Sequence, residues 1–274
     1  MNMIREYISY ISHIKGMSAN TSKAYYKDLM AFVIWAGARN LRWSTISRDD
    51  IDNYVTHLSE LGKSPATTNR MLSSISGIYN YMRRMGYEIE NPCRYESRRK
   101  LAKTTPNTIS NEELKNAYLH SHGVVKVMLG LLCCTGIRLQ ELLDIRWEDI
   151  NFERNTISIN GKGSKGRIVY TTSDSLATLK TYKSHNEVSG KIFTLSQREV
   201  RDMIYKALKP YCNAPQLSPH AIRHSYATNI AINGGNVVTL AMLLGHNNIS
   251  TTQRYIDTAN VAAQQLSLNN QILN

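Results

Sequence analysis

In the stretch Thr156-Ile157-Ser158-Ile159-Asn160-Gly161-Lys162-Gly163-Ser164-Lys165-Gly166-Arg167-Ile168-Val169-Tyr170-Thr171, apolar and polar residues alternate on either side of a glycine-rich segment. Alternation of period two predicts two strands, near 156–159 and 167–171, and the glycines predict the hairpin turn between them. The turn is not a nucleotide-binding loop of the Walker type, because the order of Gly, Lys and Ser/Thr is wrong. One further strand is expected at Lys191 to Leu195. Elsewhere the apolar residues recur at helical spacing, so the fold class is mainly α with a small antiparallel sheet.

Upstream, Ser110-Asn111-Glu112-Glu113 has the form of a capping box and opens a second, C-terminal domain. Four apolar stripes precede it: Ile4, Tyr7, Ile8, Ile11 and Ile14; Tyr25, Leu29, Phe32, Val33 and Ala36; Ile51, Tyr54, Val55 and Leu58; and Met71, Ile75, Ile78, Tyr79 and Met82. Thr21, Ser47 with Asp50, and Ser64-Pro65 are the expected start signals of the last three. The expected organisation is a four-helix domain over 1–90, a polar, basic linker over 91–108, and a second domain over 109–274 with a C-terminal tail from about residue 258. Pro92, Pro106 and the run Arg98-Arg99-Lys100 mark the linker.

The 274 residues carry a formal net charge of +12, the footprint of a polyanion binder. Residues 1–105 hold 16 Lys and Arg against 9 Asp and Glu, and residues 106–274 hold 17 against 12, so both halves are basic. That balance is expected of two domains closing around one duplex, with affinity that falls steeply with salt. No run reaches the roughly 18 apolar residues needed to span a bilayer, and the N-terminus does not read as a signal peptide. The four cysteines, Cys93, Cys133, Cys134 and Cys212, lack paired metal-ligand spacing and read as reduced, cytosolic and mostly buried. No metal or other cofactor is expected.

Four segments of the second half supply parts that fit one chemistry. Substitution at a phosphodiester spreads negative charge over the non-bridging oxygens, and guanidinium groups bind such oxygens through paired hydrogen bonds. Arg138, after the turn signal Thr135-Gly136 and ahead of Leu139, Leu142 and Leu143, is expected at the opening of a buried helix. Glu141, one turn on, is placed to orient it or a neighbouring basic group. In Ser218-Pro219-His220-Ala221-Ile222-Arg223-His224, Ser218 reads as an N-cap and Pro219 as the first helical residue. His220 and Arg223 then share one face near a helix start that favours anions. A 5′ oxygen must be protonated as it leaves, and the incoming nucleophile must lose a proton. Spacing alone leaves Lys162 and Lys165 equal as the acid. Tyr255, a phenol of pKa about 10, suits the nucleophile, because it can be activated between cations and leaves readily in the reverse step.

The set Thr135-Gly136-Ile137-Arg138-Leu139-Gln140-Glu141-Leu142, Gly161-Lys162-Gly163, His220-Ala221-Ile222-Arg223-His224, Leu244-Gly245-His246, Ser250-Thr251-Thr252 and Tyr255 resembles the tyrosine recombinases, the integrases of phages and mobile elements and the Xer-type resolvases. Gln140 stands where many members carry Ser. The resemblance implies a SAM-like, core-binding N-terminal domain and a C-terminal catalytic domain of the DNA breaking-rejoining fold. It implies the catalytic set Arg138, Glu141, Lys162, His220, Arg223, His246 and Tyr255, favours Lys162 as the acid, and leaves Lys165 and Arg167 on backbone phosphates. For the first domain it favours DNA contacts from the start of the fourth helix, by Thr67, Thr68, Asn69, Arg70 and Ser73, with Arg98, Arg99 and Lys100 along the linker.

The activity so implied is site-specific DNA cleavage and rejoining through a 3′-phosphotyrosine on Tyr255, without metal or ATP, in the cytoplasm at the nucleoid. A homo-tetramer on two recombination sites is expected; the tail, in which Ala259, Ala262, Ala263 and Leu266 keep helical spacing, either packs on its own domain or, as the resemblance favours, docks on a neighbouring protomer and joins the tetramer. Accessory DNA-bending or directionality proteins are expected partners, with no membrane role. With no arm-binding domain ahead of the first bundle, a short-site system is expected. Two alternatives stand beside this: a relaxing enzyme of the type IB topoisomerase kind, and a catalytically idle DNA-binding regulator that has no use for Tyr255.

Overall fold

The computed structural model describes residues 2–93, 99, 107–160, 166–185, 190–245, 252, 253, 255 and 256. The chain divides into two compact units, Met1–Lys103 and Thr104–Asn274.

The first unit holds four helices: α1 (Asn2–Ser9), prolonged by a π-turn over Tyr10–Ile14, α2 (Ala19–Gly37), α3 (Arg48–Glu60) and α4 (Pro65–Arg84). Local capping chemistry sets their starts. Ser47 and Asp50 form a reciprocal capping box on α3, and Ser64 caps α4 with Pro65 behind it. The cap of α2 is Ser18, whose hydroxyl accepts from the Thr21 N–H at 3.1 Å, so the cap lies three residues before the expected Thr21. The stripes meet in one core in which Tyr54 packs edge-on against Phe32 at 5.0 Å and lies 4.9 Å from the Trp35 ring. Ile14, expected in that core, is 70% exposed, because the π-turn rotates the last residues of the first stripe away from it.

In the second unit the central element is α6 (Gly123–Thr135), a helix of almost continuous apolar sequence. A helix apolar on all sides must be wrapped. Around it pack α5 (Asn111–Leu119), α7 (Leu139–Asp144), α8 (Ser173–His185), α9 (Gln197–Leu208) and α10 (Pro219–Ile232). The helix α11 (Val237–Leu244) packs on α10 and on the sheet. The expected Ser110–Glu113 capping box and Ser218–Pro219 start are both present, on α5 and α10.

The sheet has three antiparallel strands in sequence order, β1 (Ile150–Asn151), β2 (Thr156–Ile159) and β3 (Arg167–Tyr170). Ile159 pairs with Arg167 and Ile157 with Val169. Ile157, Ile159 and Val169 face the core, whereas Ile168 and Tyr170 are 59% and 69% exposed. The strand expected at Lys191 to Leu195 does not form. Lys191 makes a single bridge to Arg146, and the Ile192 N–H donates to Ile145 O at 3.1 Å before the chain turns toward α9. All four cysteines are free thiols; only Cys212 is buried, and the other three are half-buried rather than enclosed. Among the described residues no helix is long and apolar enough to cross a membrane.

Candidate active site

The site begins with a backbone requirement. α6 ends at Gly136 in the left-handed conformation, φ 60°. A Cβ there would lie 2.2 Å from the Tyr226 ring, so only glycine meets both the turn and the close approach. The turn brings Arg138 to the N-cap of α7, as its place in the sequence predicts. Glu141 reaches back to accept from the Arg138 backbone N–H at 2.7 Å and from Arg138 Nη1 at 2.8 Å.

Glu141 is the hub. Arg167 holds it bidentately, Nη1 to Oε1 at 2.9 Å and Nη2 to Oε2 at 2.8 Å, and Arg223 Nη1 stands 4.0 Å from Oε2. Its side chain is 11% exposed. Burial alone would raise its pKa, but the hydrogen bonds and charges of Arg167 and Arg138 outweigh it and hold the carboxyl down at about 2. Glu141 is therefore ionised at neutral pH.

The same arginines share a second anchor. The last carbonyls of a helix have no partner within it. At the end of α11, Leu243 O accepts from Arg167 Nε at 2.8 Å, Leu244 O from Arg223 Nη2 at 2.7 Å, and Gly245 O from Arg138 Nη2 at 2.9 Å. The negative end of the helix dipole adds to their attraction for cations. Arg223 also donates from Nη1 to Gly136 O at 2.6 Å and is buried. Burial first, then the charge of Arg138, pull its pKa down to about 10, so it stays protonated at neutral pH. Three guanidiniums against one carboxylate leave the cluster positive, and Arg138, with 43% of its side chain exposed, is the member that presents that charge outward.

On the outer face of α10, His220 and His224 meet through their Nε2 atoms at 2.8 Å, one ring nitrogen donating and the other accepting. The His224 ring lies 5.3 Å from that of Tyr255. Tyr255 is buried against Ala227, Ala231, Leu240 and Leu244, which brings it to the α11 end that anchors the arginines. Arg138, Glu141, Arg223, His220 and Tyr255 are thus assembled from the predicted set. Lys162, Lys165 and His246 lie outside the described residues.

Two residues that the sequence reading placed otherwise, or left without a role, belong to this cluster. His224 bridges His220 and Tyr255. Arg167, expected on phosphates, points inward with only 13% of its side chain exposed. The signal for that was the strand period: Arg167 shares a face with Val169, which is buried, while Ile168 and Tyr170 face outward.

The expected DNA face of the first unit is reorganised by its own hydrogen bonds. Thr68 is fully buried and can touch no ligand. Thr67 shares its hydroxyl with the capping Ser64 at 3.0 Å, and Ser73 Oγ donates to Asn69 O at 2.9 Å. Asn69 clasps the backbone of Arg99, Nδ2 to O at 2.8 Å and N–H to Oδ1 at 2.9 Å, so its amide is occupied. Arg99 in turn donates from Nη1 to Ser59 Oγ at 3.1 Å. Arg70 pairs with the buried Asp28 yet keeps 43% of its side chain exposed. Arg98 and Lys100 lie outside the described residues.

Comparison with known proteins gives concordant matches for both units. The family model described as the phage integrase family matches residues 107–261, and that described as the phage integrase N-terminal SAM-like domain matches residues 4–86. Tyrosine recombinase XerD of Pseudomonas aeruginosa is 30% identical over 272 residues, covering 92% of this chain and 91% of the relative. A tyrosine recombinase of Thermosipho africanus is 29% identical over 272 residues, with 94% and 95% covered. Among solved structures, XerH site-specific recombinase bound to a palindromic difH substrate superposes with a TM-score of 0.77 at 17% identity, over 90% of this chain and 78% of that one. The Tn1549 transposon integrase in complex with transposon right end DNA gives 0.74 at 18%, over 97% and 99%. At these identities the two structures establish the fold alone.

Proposed function

The chain belongs to the phage integrase family and is a tyrosine recombinase acting on DNA, and from that premise we propose that Tyr255 is its nucleophile and Arg138 and Arg223 its phosphate cradle. The phenolic oxygen attacks the scissile phosphorus as its proton passes to solvent. A bond forms from that oxygen to phosphorus, the bond from phosphorus to the 5′ oxygen breaks, and Lys162 protonates the departing 5′ oxygen to give a free 5′ hydroxyl. The 3′-phosphotyrosine retains the energy of the phosphodiester, so attack by a 5′ hydroxyl of another strand rejoins DNA without ATP. His220 and His246 donate to the phosphate, and Glu141 holds the guanidiniums in place.

One observation carries this reading. Glu141 and the end of α11 gather Arg138 and Arg223 beside the helix surface on which Tyr255 is packed, although the three residues lie 85 and 32 positions apart in sequence. A binding module has no need of that convergence. The first unit contributes DNA contacts through Arg70, which stays partly open, and through the linker residues Arg98, Arg99 and Lys100. The domain boundaries 1–90, 91–108 and 109–274, a tetramer on two recombination sites joined through the tail, action in the cytoplasm at the nucleoid, and accessory DNA-bending proteins complete the proposal.

The test is covalent trapping. Full-length protein is incubated in excess chelator with nicked duplexes drawn from DNA flanking its gene and quenched in detergent, and the adduct is mapped by mass spectrometry. An adduct on Tyr255 that is lost in Tyr255→Phe while DNA binding persists supports the reading. Sequence-specific binding without any adduct points to a regulator, and relaxation of supercoiled DNA without strand exchange to a topoisomerase-like enzyme. Deleting the residues after Asn260 should weaken cooperative assembly on DNA and leave monomer folding intact.

A further inference from the structure

Arg167 is the arginine of the cluster that grips Glu141 with both terminal nitrogens. Its three side-chain nitrogens are all directed inward, two onto the Glu141 carboxylate and one onto Leu243 O. Arg138 has 43% of its side chain exposed, Arg167 13% and Arg223 4%, so it is the bond to Glu141, rather than burial, that separates Arg167 from Arg223. Resting on the reading of Arg138 and Arg223 as the phosphate cradle, we propose that Arg167 is a positioning residue for DNA cleavage: it ties Glu141 and the end of α11 to the first residue of β3, and so fixes where the two cradle guanidiniums point.

The bonds around it make this a mechanical linkage. Glu141 orients Arg138 from both its backbone and Nη1, so any rotation of the carboxylate swings the Arg138 fork. The α11 carbonyls on either side of Leu244 O, which holds Arg223, are taken by Arg167 and Arg138, so a shift of the helix end moves all three together. Gly245 is part of the fit, since a Cβ there would lie 2.8 Å from Arg167 Nη1. The rigid, planar guanidinium reaches three acceptors in two directions at once; an ammonium is a single point charge on a flexible stem and cannot. Misplacement of a catalytic group by about 1 Å slows a reaction on the order of 10²-fold.

The experiment compares wild type with Arg167→Gln and Arg167→Lys in the nicked-substrate assay at saturating DNA, alongside the salt dependence of DNA binding. Gln keeps the stem as far as Nε and so a donor for Leu243 O, Lys keeps the charge, and thermal unfolding identifies any variant that does not fold. We expect cleavage to fall about 10²-fold in both, with DNA affinity and its salt slope unchanged. Adding Glu141→Gln to Arg167→Gln should cause little further loss, because both act through one linkage. A salt slope shallower by about 0.9 with normal cleavage at saturation makes Arg167 a phosphate contact and overturns the proposal. So do wild-type rates in both variants, or losses that simply add to those of Glu141→Gln and track the unfolding temperature. An adduct in wild type with insensitive variants overturns this inference alone; a wild type that forms no adduct on Tyr255 removes the functional reading with it.

Discussion

Each unit of the chain buries one carboxylate against arginine, and the two arrangements have opposite electrostatic results. In the first unit Asp28, among the described residues, pairs with Arg70; burial pushes its carboxyl pKa up, and the arginine only partly opposes the shift. In the second unit Glu141 meets Arg138 and Arg167 directly, with Arg223 beside them, and is held down at about 2. The first is a neutral pair inside a scaffold. The second is a positive cluster organised by one negative charge. The surplus of cations, rather than the presence of a buried charge, is what separates it from a structural ion pair and what the proposed phosphate cradle rests on.

The strongest way to break the comparison is Glu141→Gln. A carboxyl with its pKa lowered in the folded chain contributes stability that is complete above its ordinary value of 4.5 and lost as pH falls toward about 2. That shift corresponds to about 3 kcal/mol. Chemical denaturation near pH 7 should show the second unit weakened by about that amount, and the variant should lack the wild-type loss of stability between pH 4.5 and 2. Equal stability of the two proteins near neutrality would dissolve the contrast.

Asn69→Ala sharpens the comparison from the scaffold side. It removes two hydrogen bonds to the Arg99 backbone, each worth about 1 kcal/mol. The first unit should lose about 1–2 kcal/mol, and trypsin should cleave after Arg99 faster than in wild type. Unaltered proteolysis would show that the clasp does not hold the segment.

Asp28→Asn should have the smallest effect. A carboxyl whose pKa is raised in the folded chain weakens the fold as pH climbs above the unfolded value, so losing its charge removes a penalty, and the amide oxygen still accepts from Arg70. Arg70 is 43% exposed, which limits the value of the pair. Thermal unfolding at pH 7 should place the variant within about 1 kcal/mol of wild type; a loss comparable to that of Glu141→Gln would make the two clusters equivalent.

What was legible in the sequence follows from how local the determinants are. The starts at Ser47, Ser64, Ser110 and Ser218 depend on four consecutive residues each, and all four formed as expected. The hairpin strands depend on a short alternation and also formed. The true cap of α2 escaped because Ser18 and Thr21 both carry a hydroxyl that can cap, and their mutual 2.8 Å contact joins them in one turn. The strand expected at Lys191 to Leu195 failed for want of an extended partner beyond the single bridge to Arg146. At the site, Arg138, Glu141 and Arg223 were nameable from their residue types and spacing. The inward direction of Arg167 was not foreseen, because a cation after a glycine-rich turn looks solvent-facing; only its shared strand face with Val169 pointed the other way. Thr68 was misread because a short polar side chain on a helix gives no sign of which neighbours will cover it.

The end of α11 has one more consequence. It holds three arginines through carbonyl oxygens, which every amino acid possesses, so the anchor itself asks nothing of the outward side chains, while Leu240 and Leu244 stay fixed by their packing and the count of residues by the anchor. Substitutions at outward positions such as Met242, 70% exposed, and Val238, 44% exposed, leave the anchor untouched. Inserting or deleting a single residue would turn that terminus by about 100° and shift it by about 1.5 Å, carrying every acceptor away from its guanidinium. This helix is therefore a ruler, whose length and register matter more than the side chains on its outward face.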